Sequence, residues 1–168
     1  FYPGSSSSKS RYQITNGTNS FDGTVTNTEL YVGASWEWLS VKYYQAVSDY
    51  FSVPDTKGTS YLDLSAKKDL GNGWGLNAHV GQLRTTGFVA TVTNGVVPSY
   101  NYMDYRVGLS KDLDGWTLAA SAISTNAFAG ACQSSSTGPY CFPDDLANQK
   151  RFLNAGKSTV VFSAIKNF

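Results

Sequence analysis

The chain has 168 residues with 13 basic and 12 acidic side chains, a formal net charge of +1 and no run of like charge, so it presents no electrostatic footprint for nucleic acid. Eleven tyrosines, nine phenylalanines, four tryptophans and 16 glycines beside abundant Ser and Thr favour strands and turns over helices. No run of about 18 apolar residues exists to cross a membrane as a helix, and with Phe1 first and no leader visible, the sequence is expected to be a processed or partial chain forming one domain, 1–168.

Period-two alternation predicts strands at 28–38 (TELYVGASWEW), 39–51, 59–70, 74–86, 102–113, 116–126 and 158–168. Each has about the length of a tilted membrane-spanning strand. The connections alternate: almost nothing around Leu39-Ser40, then SVPDTKG, then Gly71-Asn72-Gly73, then 87–101, then Asp114-Gly115, then 127–157. Tight turns on one side and long loops on the other are the pattern of an outer-membrane barrel, with 127–157 as a long extracellular loop.

Asp114-Gly115 is a strong two-residue hairpin turn, because both residues tolerate positive φ. It sets Leu113 opposite Trp116, Leu109 opposite Ala120 and Val107 opposite Ala122. Centring the preceding hairpin on Asn72 sets Leu70 opposite Trp74, Ala66 opposite Ala78 and Leu64 opposite Val80. Register from turns and facing from alternation therefore agree.

One file of alternate residues is apolar, for example Leu62, Leu64, Ala66, Val107 and Leu109. The other carries Glu29, Glu37, Lys42, Asp63, Lys67, Asn77, His79, Asp104 and Arg106. A soluble barrel turns its apolar file inward, whereas a membrane barrel turns it to lipid. Tryptophan placement favours lipid: Trp36, Trp38, Trp74 and Trp116 all sit beside the tight turns, as an interface belt would. Tyr50, Phe51, Tyr61, Tyr100 and Tyr102 sit at the opposite strand ends and are expected to form a second belt. Lys68-Asp69-Leu70, Lys111-Asp112-Leu113 and Lys166-Asn167-Phe168 repeat one pattern, placing a lysine on the apolar file near the Trp end, where it snorkels to the headgroups. Phe168 joins the belt on the last strand.

The polar file is expected to line a hydrated lumen, with charges paired across strands, Glu37 with Lys42 for example. His79 opposite Ser65 with Asp63 diagonal supplies the residue types of a nucleophilic triad, but no oxyanion-hole feature accompanies them, and a barrel interior is normally filled with such groups. No catalytic residue, metal site or cofactor is expected. Cys132 and Cys141 lie in a Gly/Ser/Pro-rich stretch without further metal ligands nearby and read as a disulfide, which points outside the cytoplasm.

FYPG at 1–4, SVKYYQAVSDYF, GTSYLDLSAKKDLGNGWGLNAHVG at 58–81, YMDYRVGLSKDLDGWTLAASAISTNA at 102–127 and the closing TVVFSAIKNF resemble segments of the TorF family of outer-membrane porins. The resemblance implies an all-β antiparallel transmembrane barrel in the cell outer membrane. About eight strands are visible here, as the C-terminal portion of a barrel of about 12. It also implies passage of small polar solutes or ions, contact with membrane lipids, and recognition of the last strand by the barrel-assembly machinery. The Cys-containing loop departs from the family pattern. The alternative is a non-conducting surface protein acting through its long loops.

Overall fold

Left-handed residues at short turns set the frame of the molecule. The structure, a computed structural model, describes residues 12–89, 99–127, 132, 140–143 and 151–166. In chain order the strands are β1 (Tyr12–Asn16), β2 (Asn19–Gly23), β3 (Glu29–Trp36), β4 (Leu39–Ala46), β5 (Ser60–Gly71), β6 (Trp74–Arg84), β7 (Tyr102–Leu113), β8 (Trp116–Thr125), β9 (Cys141–Pro143), β10 (Phe152–Asn154) and β11 (Thr159–Lys166). All seven expected strands form, and they make one antiparallel sheet in the order β11-β8-β7-β6-β5-β4-β3.

Asp114 (φ 42°) and Gly115 (φ 85°) are both left-handed, as a two-residue hairpin requires, and the expected pairs Leu113–Trp116, Leu109–Ala120 and Val107–Ala122 are in register. Asn72 (φ 51°) and Gly73 (φ 74°) make the second turn. A register shift between Asp69 and Gly71 gives Trp74 the partner Gly71 instead of the expected Leu70, while Ala66–Ala78 and Leu64–Val80 stand as expected. The first turn lies at Glu37-Trp38, two residues before the expected place, with Trp36 paired to Leu39 and Glu37 at φ 51°. No Gly or Asn marks that turn, which is why it does not show in the sequence.

β4 ends at Ala46 rather than reaching 51, because the chain beyond it folds on its own hydrogen bonds. Tyr50 N donates to Thr56 Oγ1 (2.8 Å), Thr56 Oγ1 to the Val53 carbonyl (2.6 Å) and Thr59 Oγ1 to the Thr56 carbonyl (2.9 Å). Thr56 and Thr59 are wholly buried here, in a segment with a short 3-10 turn over Tyr50–Ser52. The β1–β2 hairpin, not expected from the sequence, is tied to the same end of the sheet. Buried Asn16 donates to the carbonyls of Pro54 (2.6 Å) and Gly87 (2.8 Å) and accepts from Val89 N (2.7 Å). Within the long connection at 127–157, β9 and β10 form a second small pair.

The sheet's apolar face has no cover among the described residues. Val32 (70% exposed), Trp36 (74%), Val107 (53%) and Phe162 (79%) stand on it in the open. The buried apolar side chains among the described residues are Ala46, Leu83 and Cys141, and the first two belong to the other, polar file. β3 and β11 are the sheet's edges and are not paired with each other, so a closed barrel is not formed by these strands alone.

Candidate functional site

The polar face concentrates its chemistry where a glycine leaves room. In one cross-strand row Asp63 of β5, Gly81 of β6 and Asp104 of β7 stand side by side; in the next row are Ser65, His79 and Arg106. A Cβ on Gly81 would lie 2.5 Å from Asp104 Oδ2 and would collide with the Tyr61 hydroxyl. The missing side chain lets Tyr61 reach across β6 and donate to Asp104 Oδ2 (2.8 Å). His79 bridges the two carboxylates: Nε2 is 2.8 Å from Asp104 Oδ1, and Nδ1 is 3.4 Å from Asp63 Oδ1. Ser65 donates to Asp63 Oδ1 at 2.6 Å, and its oxygen lies 3.1 Å from His79 Nδ1.

In that network the residue types of a triad meet in a different arrangement from the one the register alone suggests. The carboxylate hydrogen-bonded to His79 is Asp104, from the far side, and not the diagonal Asp63. A serine hydroxyl has one proton, and the shorter contact assigns it to Asp63 rather than to the imidazole. The arrangement joins β5, β6 and β7 through hydrogen-bonded polar groups.

The other expected polar-file residues are spread along the same face. Lys42 is the register partner of Asp63, yet its Nζ lies over the Tyr31 ring, 6.0 Å from the centroid. Lys67 is opposite Asn77, and the Asn77 amide fills space left by Gly108, where a Cβ would come 3.0 Å from it. Arg106 is exposed beside His79. Glu29 opens β3 at the long-loop end, whereas Glu37 sits in the first turn at the opposite end. The expected Glu37–Lys42 ion pair is absent among the described residues, because Glu37 leaves the strand for the turn while Lys42 stands opposite Gly33.

At the tight-turn end the four tryptophans are all exposed. Three lysines stand over three of them: Lys68 over Trp38 (5.8 Å), Lys111 over Trp74 (5.2 Å) and Lys166 over Trp116 (5.4 Å). Of these three tryptophans Trp38 lies in the first turn just before β4, and Trp74 and Trp116 open β6 and β8, strands leaving the tight-turn end; each lysine lies on the adjacent strand returning to it. Both residue types were legible in the sequence; their pairing across strands was not. Phe168 lies outside the described residues.

At the opposite end the expected outward tyrosine belt is instead largely turned to the polar face. Tyr31, Tyr44, Tyr61, Leu83 and Tyr102 form one cross-strand row, two residues along from Asp63 and Asp104 and so on the same face. Tyr44 and Tyr61 are inclined at 52° with centroids 6.3 Å apart, and Tyr102 meets Tyr140 edge-on at 5.4 Å. Burial, and then the Glu29 carboxylate, push the Tyr50 phenol up to about 12. Burial likewise raises the Tyr140 phenol, whose hydroxyl donates to the Tyr100 carbonyl (2.5 Å). Cys132 and Cys141 form the expected disulfide, with Cα atoms 5.5 Å apart.

No group of three or more His, Cys, Asp or Glu side chains is arranged to hold a metal ion among the described residues. A family model described as a bacterial protein of unknown function (Gcw_chp) matches residues 2–168, and the chain belongs to that family. No curated protein and no solved structure matches.

Proposed function

We propose that this member of the Gcw_chp family is the wall of an outer-membrane β-barrel that passes small polar solutes, as the resemblance to TorF-family porins leads one to expect. The observation that carries the reading is the inversion of the sheet. Its apolar face has no cover among the described residues across seven strands, while its polar face holds the bonded network of Asp63, Ser65, His79, Asp104 and Tyr61. Soluble monomers rarely expose apolar patches beyond a few hundred Å2, and a lipid-facing wall needs one. The Trp and Lys pairs at one margin of that face suit a headgroup boundary. Barrel-assembly machinery reading the last strand belongs to the same proposal.

β3 and β11 run in the same direction, so a closed all-antiparallel barrel on this sheet takes an odd number of further strands between them. β1 and β2 are two strands in a separate pair and do not supply that number. This supports the reading of the seven-stranded sheet as the C-terminal portion of a larger barrel.

The test is refolding into detergent and then planar bilayers. Heat-modifiable mobility with stepwise conductance is expected; well-folded protein that carries no ion or solute flux contradicts the channel. A second reading, a non-conducting surface protein, draws on Asn16 fastening the β1–β2 hairpin over the long-loop end. Under it, Asn16→Ala leaves flux at zero; under the channel reading, the same variant raises conductance or leaves it unchanged.

A further inference from the structure

The lower charged network uses up most of its polar groups, but the tyrosine row above it does not. A recess of about 290 Å3 lies at the long-loop end of the polar face, lined by Glu29, Tyr44, Tyr50, Tyr61, Asp63 and Tyr102, with Leu83 at its floor. Among the described residues no lysine or arginine lines it. Lys42, the nearest basic residue in register, lies over the Tyr31 ring. The Glu29 carboxylate has no hydrogen-bond or ion-pair partner among the described residues. Asp63 uses Oδ1 for both Ser65 and His79, and its Oδ2 has no hydrogen-bond or ion-pair partner among the described residues.

Four aromatic rings and two carboxylates with unused acceptor capacity, drawn from four strands and a loop, make a cage of negative potential. Ring faces attract a cation through the quadrupole, and the attraction strengthens where water is scarce. The loop that brings in Tyr50 is fixed in place. Phe51 (φ 51°) and Ser52 (φ 59°) are left-handed there without being glycine. The backbone is held by Thr26 N donating to Ser52 Oγ (2.9 Å) and by Tyr50 N donating to Thr56 Oγ1 (2.8 Å). Such a conformation persists only where its surroundings over-determine it, so the cage is built before a ligand arrives.

We propose that this recess binds a small organic cation of the quaternary-ammonium type. A bare metal ion is a poorer match, since hard cations take six or more oxygen ligands and only two carboxylates line the recess. An anion is repelled by both. The inference names a solute class for the channel reading and rests on that reading for access to the polar face, but binding and flux are measured separately.

The experiment is calorimetric titration of the full chain, folded in detergent micelles, with choline chloride. Its neutral carbon isostere 3,3-dimethyl-1-butanol and glucose serve as controls. Saturable choline binding is expected, at least about tenfold tighter than the isostere, because the cation–π and carboxylate contributions are lost with the charge. Glu29→Gln, isosteric and on an exposed edge strand, weakens choline about tenfold, and Tyr44→Leu does the same, both with unchanged heat-modifiable mobility. The proposal is overturned by three results: no saturation with choline, equal affinity for the isostere, or glucose binding where choline does not. Choline binding without conductance removes the channel and leaves the site; conductance without choline binding does the reverse.

Discussion

The two faces of the seven-stranded sheet are made by the same strands, residue by residue, yet they follow opposite rules. On one face Val32, Leu64, Val107 and Phe162 are exposed and touch little; on the other, His79, with 14% of its side chain exposed, has a bonded partner for each ring nitrogen. A water-soluble sheet packs the first face and wets the second. Here the polar side supplies the specific contacts, and the apolar side has no cover among the described residues; under the proposed reading its solvent is lipid. Strand identity thus says little about where the energy lies, and facing says most of it.

Charge placement breaks that comparison most sharply. Val107→Arg, near the middle of the apolar face, is expected to cost about 2–4 kcal/mol of folding stability in a bilayer. Ala119→Arg, on the polar face, costs a small fraction of that; urea titration of protein in vesicles measures both. Next in size is Gly81→Ala, whose methyl collides with the Tyr61 hydroxyl and crowds Asp104. A loss of about 1–3 kcal/mol is expected, relieved in part when Tyr61→Phe is added. Smaller still is Lys111→Met, which removes the cation over Trp74. It should cost about 0.5–1 kcal/mol and shift tryptophan emission, with no effect on choline binding at the far end.

An effect confined to alkaline pH comes last. Burial, then Glu29, hold the Tyr50 phenol at about 12 against an ordinary 10, so the folded state retains a proton that the unfolded state releases. The resulting stabilisation is complete below pH 10 and is lost as pH rises from 10 to about 12. Tyr50→Phe should flatten that part of an alkaline unfolding profile recorded by tryptophan fluorescence.

The seven long strands were legible because alternation and turn chemistry act locally. Asp114-Gly115 fixed a register that the structure reproduces pair for pair over the expected positions. The Glu37-Trp38 turn was hidden because a left-handed glutamate does its work without Gly or Asn. Asn16-Gly17 did carry a turn signal for the β1–β2 hairpin, but its flanks lack a continuous apolar file. At the site, Ser65 opposite His79 follows from the hairpin register. The Asp104 contact does not, because β6 and β7 are joined through 85–101, whose length sets no register. Two signals were available: Tyr61 shares parity with Asp63, which turns it to the polar face, and a lone glycine at 81 inside a polar file marks a close approach.

The central claim is that the apolar face meets lipid, and a spin-label scan along β7 in vesicles tests it directly. Single cysteines at Asp104, Tyr105, Arg106, Val107, Leu109 and Ser110 would be labelled and their collision rates with oxygen and with a water-soluble nickel chelate compared. Oxygen maxima at Tyr105, Val107 and Leu109, with nickel maxima at Asp104, Arg106 and Ser110, are the predicted result. Nickel access at Val107 and Leu109 equal to that at Arg106, or the opposite phase, would contradict it.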